Sequence, residues 1–86
     1  MPRYFFHVFD GKSTLDADGT ELPDWHTARR EAVRLAGEIL SDEAQGPFLG
    51  NEWRMEVTDA KGLTLFQLDF FFTESAAIQR TMFEPI

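Results

Sequence analysis

The most informative segment for the fold is RYFFHVF, residues 3–9. Successive side chains of a β-strand point to opposite faces of a sheet, so this segment presents two sets of side chains: Tyr4, Phe6 and Val8 on one face, and Phe5, His7 and Phe9 on the other. A strand with one wet face alternates apolar and polar residues, whereas both sets here are mostly aromatic. The sequence therefore predicts a first strand whose second face also needs a cover.

The residues after this strand predict a hairpin. Asp10-Gly11-Lys12-Ser13 is a turn signal, and a short second strand is expected around Leu15. The turn can be a two-residue loop made of Gly11-Lys12 or of Asp10-Gly11. Both registers put Leu15 on one face with three residues of the first strand: Tyr4, Phe6 and Val8. That face is predicted to be the core face.

The only strong helical pattern runs from Trp25 to about Ala44, after a loop predicted for residues 16–21. Asp24 is expected to cap the helix, because its carboxylate can accept hydrogen bonds from N–H groups of the first turn. The apolar side chains fall on one arc of the helix: Trp25, Ala28, Ala32, Val33, Leu35, Ala36, Ile39 and Leu40. The alanines in this arc would let the helix approach a sheet closely, and Gly46-Pro47 would end it.

Two further strands, residues 52–58 and 64–72, are predicted to form a second hairpin. Their alternation predicts these inward side chains: Trp53, Met55, Val57, Phe66, Leu68, Phe70 and Phe72. Odd and even positions share a face of an antiparallel pair only if paired residue numbers sum to an odd number, which requires an even-residue loop. We expect a two-residue turn at Lys61-Gly62 or a four-residue version of it. A three-residue loop with a bulge at Gly62 would turn Phe66 and Phe70 toward solvent.

These elements predict an α+β fold: a four-stranded antiparallel sheet, in the order ββαββ along the chain, with one helix packed on one face. We expect a single domain over residues 1–72. Residues 73–86 would form a tail, in which Thr73 is placed to cap a short second helix over residues 73–83.

The sheet face away from the helix is predicted to bind a partner. Its apolar members are Phe5, Phe9, Leu65 and Phe71, and His7 lies among them. An exposed apolar group of this kind marks an interaction site, and each buried ring is worth about 1.5–3 kcal/mol. We expect either the tail or a second copy of the chain to cover this face, and we prefer the second copy. The predicted assembly is therefore a homodimer or a complex with a protein partner.

Composition limits the kinds of partner. The chain has 8 Lys and Arg against 15 Asp and Glu, a net charge of −7. Phosphate backbones repel such a surface, so no nucleic-acid partner is expected. The apolar run near the N terminus is too short for a membrane span or a signal-peptide core, so no membrane association is expected. The absence of cysteine fits a reducing cytoplasm.

No catalytic, cofactor-binding or metal site is predicted, and we expect the protein not to be an enzyme. Residues 16–21 place Gly19 where an EF-hand loop needs glycine, but Trp25 then occupies the position of the bidentate glutamate. The chain's two histidines, His7 and His26, lack the spacing of a metal-binding pair.

A series of motifs follows one another in a characteristic order: MPRYFFHV (1–8), DG (10–11), GTELPD (19–24), Ala28-Arg29, Glu31-Ala32, Val57-Thr58-Asp59 and Gly62. Over residues 1 to about 70, this order resembles a family of small uncharacterised proteins common in rhizobia and other alphaproteobacteria. The family is a domain of unknown function. The resemblance implies a bacterial cytoplasmic domain and transfers no site residue, and the tail from Thr73 onward departs from the family pattern.

Three functions remain open from the sequence. The first is a non-catalytic interaction module that self-associates or docks a protein partner through the second sheet face. The second is a regulatory partner of the antitoxin kind, by analogy with small sheet-plus-helix antitoxin domains. A small enzyme whose site is not visible in the sequence ranks third.

Overall fold

The computed structural model describes residues 1–43 and 52–77, which form an antiparallel sheet and one helix. The elements along the chain are β1 (Arg3–Phe9), β2 (Ser13–Thr14), β3 (Thr20–Glu21), α1 (Trp25–Glu43), β4 (Glu52–Thr58) and β5 (Thr64–Phe71). The order across the sheet is β2-β1-β4-β5, and β3 also pairs with β1. The α+β class and the antiparallel sheet with one helix are confirmed. In the described residues the sheet has five strands, whereas the sequence predicted four.

The core lies between α1 and one face of β1 and β4. Its buried apolar side chains are Tyr4, Phe6, Val8, Ala28, Ala32, Ala36, Trp53, Met55 and Val57. These residues are the predicted inward sets of the two strands and the alanine line of the helix, so both predictions are confirmed. Phe66 and Leu68 of β5 pack against this core and stay half-buried.

Both β2 and β3 lie on the same edge of β1, separated by residues 15–19. Arg3 pairs with Glu21 and Tyr4 with Thr20, and the N–H of Leu22 donates to the carbonyl of Pro2 at 3.1 Å. The sequence prediction of a loop through Thr20 and Glu21 is therefore wrong. A two-residue strand is too short to show a period, and it exists here because β1 offers it an edge.

Leu15 does not join the core. Val8 pairs with Thr14 and Phe9 with Ser13, which leaves a three-residue loop, Asp10-Gly11-Lys12. This register is one residue away from both predicted ones, and a one-residue slip moves a side chain to the other face. Leu15 is 66% exposed, so its predicted core position is wrong.

The β4–β5 hairpin has the predicted inward side chains, but its loop and register differ from the prediction. Its loop spans residues 59–63, an odd number, with Gly62 at φ +87 and its N–H bonded to the carbonyl of Asp59. Thr58 pairs with Thr64 but Val57 pairs with Phe66, so Leu65 is an extra residue that forms a β-bulge. The even-residue loop prediction is wrong, while the odd sum of paired positions is confirmed from Val57 onward. The bulge restores the parity that the loop removes.

The helix begins as predicted. Asp24 accepts hydrogen bonds from the N–H of Thr27 at 2.8 Å and from the Thr27 hydroxyl at 2.9 Å, and these bonds hold the pKa of Asp24 below its ordinary value. The predicted stop at residues 46–47 lies outside the described residues, as does most of the predicted tail helix. Residues 72–75 have no regular secondary structure, so Thr73 is not a helix cap. Neither described stretch contains a helix both long and apolar enough to cross a bilayer.

Candidate functional site

The outer face of the sheet, which is the face away from α1, carries the residues predicted to bind a partner. Strand pairing arranges its side chains in rows across β1, β4 and β5: Phe9–Arg54–Asp69, His7–Glu56–Gln67, and Phe5–Thr58. Polar and charged side chains of β4 therefore stand between the aromatic residues of β1 and Phe71 of β5. The five predicted residues do not form one continuous apolar patch.

Phe9 and Phe71 line a common outer-face cavity of about 450 Å³, with Arg54 and Asp69 between them. The Arg54 guanidinium lies 5.2 Å from the centroid of the Phe9 ring, within the range of a cation–π contact. Its Nε is 3.2 Å from a carboxylate oxygen of Glu56. Arg54 thus covers part of Phe9, whereas Phe71 remains 64% exposed.

Phe5 and His7 are held by the loop at residues 15–19. Their rings stack with centroids 6.4 Å apart. His7 Nδ1 accepts from the N–H of Asp16 at 3.1 Å, so the proton of the neutral ring sits on Nε2, which donates to the Thr58 hydroxyl at 3.1 Å. A Cβ at Gly19 would lie 2.9 Å from the Phe5 ring. Both side chains are half-buried parts of the fold.

Between β2 and β3, the edge of β1 is bonded by the Asp16 side chain instead of a strand. Its Oδ2 accepts from the N–H of Phe6 at 3.2 Å, and its Oδ1 from the N–H groups of Asp18 at 3.1 Å and Gly19 at 3.0 Å. Burial alone would raise the pKa of Asp16, but these bonds, with a contribution from His7, outweigh it and hold the pKa below its ordinary value of 3.8. The resulting stabilisation is present above pH 3.8 and is lost as the pH falls through the lowered pKa.

A second surface lies on the helix side, between α1 and β5. This α1–β5 groove has a volume of about 790 Å³, and its apolar walls include Trp25 and Val33 of α1 and Leu65, Phe66 and Leu68 of β5. Trp25 is 50% and Val33 59% exposed, because α1 packs over β1 and β4 and leaves β5 open. Leu65, predicted for the outer face, lines this groove as the bulged residue of β5.

Three aromatic rings are exposed where β5 ends: Phe70 at 37%, Phe71 at 64% and Phe72 at 46%. Phe70 is opposite the buried Trp53 and therefore lies on the helix side. Phe72 meets Phe70 edge-on, with ring centroids 5.0 Å apart. Among the described residues, β5 pairs only with β4, so its other edge is open.

Two carboxylates interact between the β1–β2 turn and the last turn of α1: Asp10 and Glu43. A hydrogen bond to Asp10 raises the pKa of Glu43 above its ordinary value of 4.5, and burial and the charge of Asp10 act in the same direction. Oδ1 of Asp10 is buried without a hydrogen-bond partner in the described part of the chain. In residues 1–43 and 52–77, no three His, Asp or Glu side chains are grouped so that they could hold a metal ion.

Sequence reasoning missed the α1–β5 groove. The available signal is that the last strand carries more inward aromatic residues than a single helix covers: Phe66, Phe70 and Phe72. The position of α1 over β1 and β4, which decides what stays open, has no signature in the spacing of residues.

Comparison with known proteins finds one family model, described as a domain of unknown function (DUF6894), that matches residues 3–71. No curated protein and no solved structure matches the chain. The matched segment begins with β1 and ends with β5, so it contains the sheet, the helix and most of the surfaces described above, while Pro2 of the groove and Phe72 lie just outside it.

Proposed function

The chain belongs to the DUF6894 family, a domain of unknown function, and from that premise we propose that it is a non-catalytic interaction module that self-associates or docks a protein partner. The observation that carries this proposal is the group of large apolar side chains exposed on and directly after β5: Leu65, Phe70, Phe71 and Phe72. Phe70, Phe71 and Phe72 are consecutive, and Leu65 lies five residues before Phe70; exposed apolar side chains grouped in this way mark protein interaction sites. We propose a bacterial cytoplasmic location, in keeping with a sequence that lacks cysteine.

The outer face remains one proposed route of docking. The cavity between Phe9 and Phe71 supports it, because two rings flank a central pair of opposite charges, Arg54 and Asp69. A partner there would bury Phe71 and meet both signs of charge. Phe5 and His7 would act indirectly, by fixing the position of β1, the strand that carries Phe9.

Sedimentation velocity of the full chain over a wide concentration range tests self-association, and co-purification from the native host tests docking. We expect either a concentration-dependent dimer or a second protein in fixed ratio. A second protein in fixed ratio would support docking over self-association and would also favour the regulatory alternative of the antitoxin kind. A chain that stays monomeric at the highest concentration and purifies alone would contradict the proposed function.

A further inference from the structure

We propose that the open edge of β5 pairs antiparallel with β5 of a second copy of the chain, about a two-fold axis at Leu68, so that Phe70 and Phe72 of each copy enter the α1–β5 groove of the other. This inference rests on the proposed function and assigns its interface. It differs from docking through the outer face, because the contacts are the backbone of β5 and side chains on the helix side.

The edges of the sheet differ in how they are protected. The far edge of β1 is occupied by β2, β3 and the Asp16 carboxylate. The edge of β5 has no such cover among the described residues, and its sequence, TLFQLDFF, contains no Pro, Lys or Arg and a single charged residue, Asp69. Open edges of this kind are templates for another strand, and natural proteins block them with charges, Pro or bulges. In β5 the bulge at Leu65 lies at one end, so residues 66–70 form a regular strand whose second edge has no partner within residues 1–43 and 52–77.

The backbone alternation supports pairing through the odd residues of β5. The N–H of Phe6 points to the β2 side of β1, where it meets Asp16, so the odd residues of β1 face β4. Carried through the paired positions of β4, this alternation directs the peptide groups of Phe66, Leu68 and Phe70 toward β4. Those of Gln67 and Asp69 therefore point to the open edge.

The two halves of β5 are complementary in shape. The first half, at Leu65, Phe66 and Leu68, forms a wall of the α1–β5 groove. The second half carries Phe70, which projects from the helix side, and Phe72 directly after the strand meets the Phe70 ring edge-on. Antiparallel pairing brings the first half of one copy beside the second half of the other. The same surface then serves both copies, as a two-fold interface requires.

Parity and charge select the register. Helix-side residues of both copies share one face only if paired positions sum to an even number. An axis at Asp69 would place two aspartates directly opposite each other, which is unfavourable. An axis at Gln67 would put the bulged Leu65 opposite Asp69, whereas an axis at Leu68 places Asp69 opposite Gln67 and Phe70 beside Phe66 and pairs residues 66–70 without crossing the bulge. Leu68 then faces its own copy across a pair without hydrogen bonds, with Cα atoms about 4.5 Å apart.

Disulfide trapping tests the register directly, because the native chain has no cysteine. Under mild oxidation, Leu68→Cys should form a covalent dimer, since the two Cα atoms fall within disulfide range. Phe70→Cys is the matched control. Its two copies would be about 13 Å apart, four residues along the ladder, and should not link. Cross-linking of Phe70→Cys but not Leu68→Cys would overturn the proposed register.

Sedimentation of two further variants separates this interface from other forms of association. Phe72→Ser should weaken the dimer at least tenfold, whereas Leu15→Ser, which removes an even more exposed apolar side chain near the opposite edge, should leave it unchanged. Circular dichroism confirms that each variant is folded. If the wild type dimerises but only Phe5→Ser with Phe9→Ser dissociates it, the β5 interface is wrong and the proposed self-association stands. A wild type that is monomeric at the highest concentration overturns the β5 interface as well.

Discussion

Gly19 has a left-handed backbone and lies in a crowded site. Gly11 has a left-handed backbone in open space, so comparing the two glycines separates backbone strain from crowding. Gly19 has φ +71, and a Cβ there would lie 2.8 Å from Arg3 and 2.9 Å from Phe5; Gly11 has φ +97 and open space around it. Both Gly→Ala changes should cost about 1–2 kcal/mol in backbone strain. Gly19→Ala should cost about 1–3 kcal/mol more, from overpacking. Urea unfolding measures both, and equal losses would mean that the loop does not pack on Phe5.

Glu43 faces Asp10 as a second carboxylate, and its pKa is raised in the folded chain. A raised acid pKa means that the folded state loses stability as the pH rises from 4.5 through the raised value. Glu43→Gln should therefore stabilise the protein at neutral pH, because its amide can donate to Asp10 without a charge. The gain should vanish at and below pH 4.5, where the native Glu43 is itself protonated. Unfolding free energies across this pH range test it, and a gain that does not depend on pH would refute the pairing.

The helix–sheet contact depends on side chains no larger than alanine. Ala32 is 2% exposed at the centre of the contact, so Ala32→Leu should overpack it and cost about 1–3 kcal/mol. Gly37→Ala, on the exposed side of the same helix, meets nothing within 4 Å and should gain about 0.5–1 kcal/mol from helix propensity. Denaturant unfolding of both variants should show changes of opposite sign in the free energy of unfolding. A neutral Ala32→Leu would show that the alanine line does not face the sheet.

At the scale of the whole molecule, each chain carries a net charge of −7, so two copies repel each other. Raising the salt concentration from about 0.05 to about 0.5 M should screen this repulsion and tighten the β5 dimer several-fold. Sedimentation equilibrium at both concentrations measures the change, with Phe72→Ser as a control that should stay dissociated. A dimer that weakens with salt would instead be held by ion pairs.

On the outer face, the alternation of residues predicts which side chains share the face but not which of them are in contact. Alternation correctly puts Phe9 and Phe71 on the face away from the helix. It cannot show that Arg54 lies over Phe9, or that a loop packs on Phe5. Those contacts join residues far apart in sequence, and each depends on the register of an intervening strand.

Local periodicity predicts the long strands, the helix with its Asp24 cap, and the inward faces of β1 and β4, because each follows from the spacing of side chains along a few residues. The exposure of Leu15, the pairing of β3 and the bulge at Leu65 are visible only in the folded chain. Each of these depends on which backbone groups meet across the sheet, and a shift of one residue there reverses the face of every side chain that follows. The open α1–β5 groove depends on the position of α1 instead, since one helix can cover only part of the sheet on which it packs.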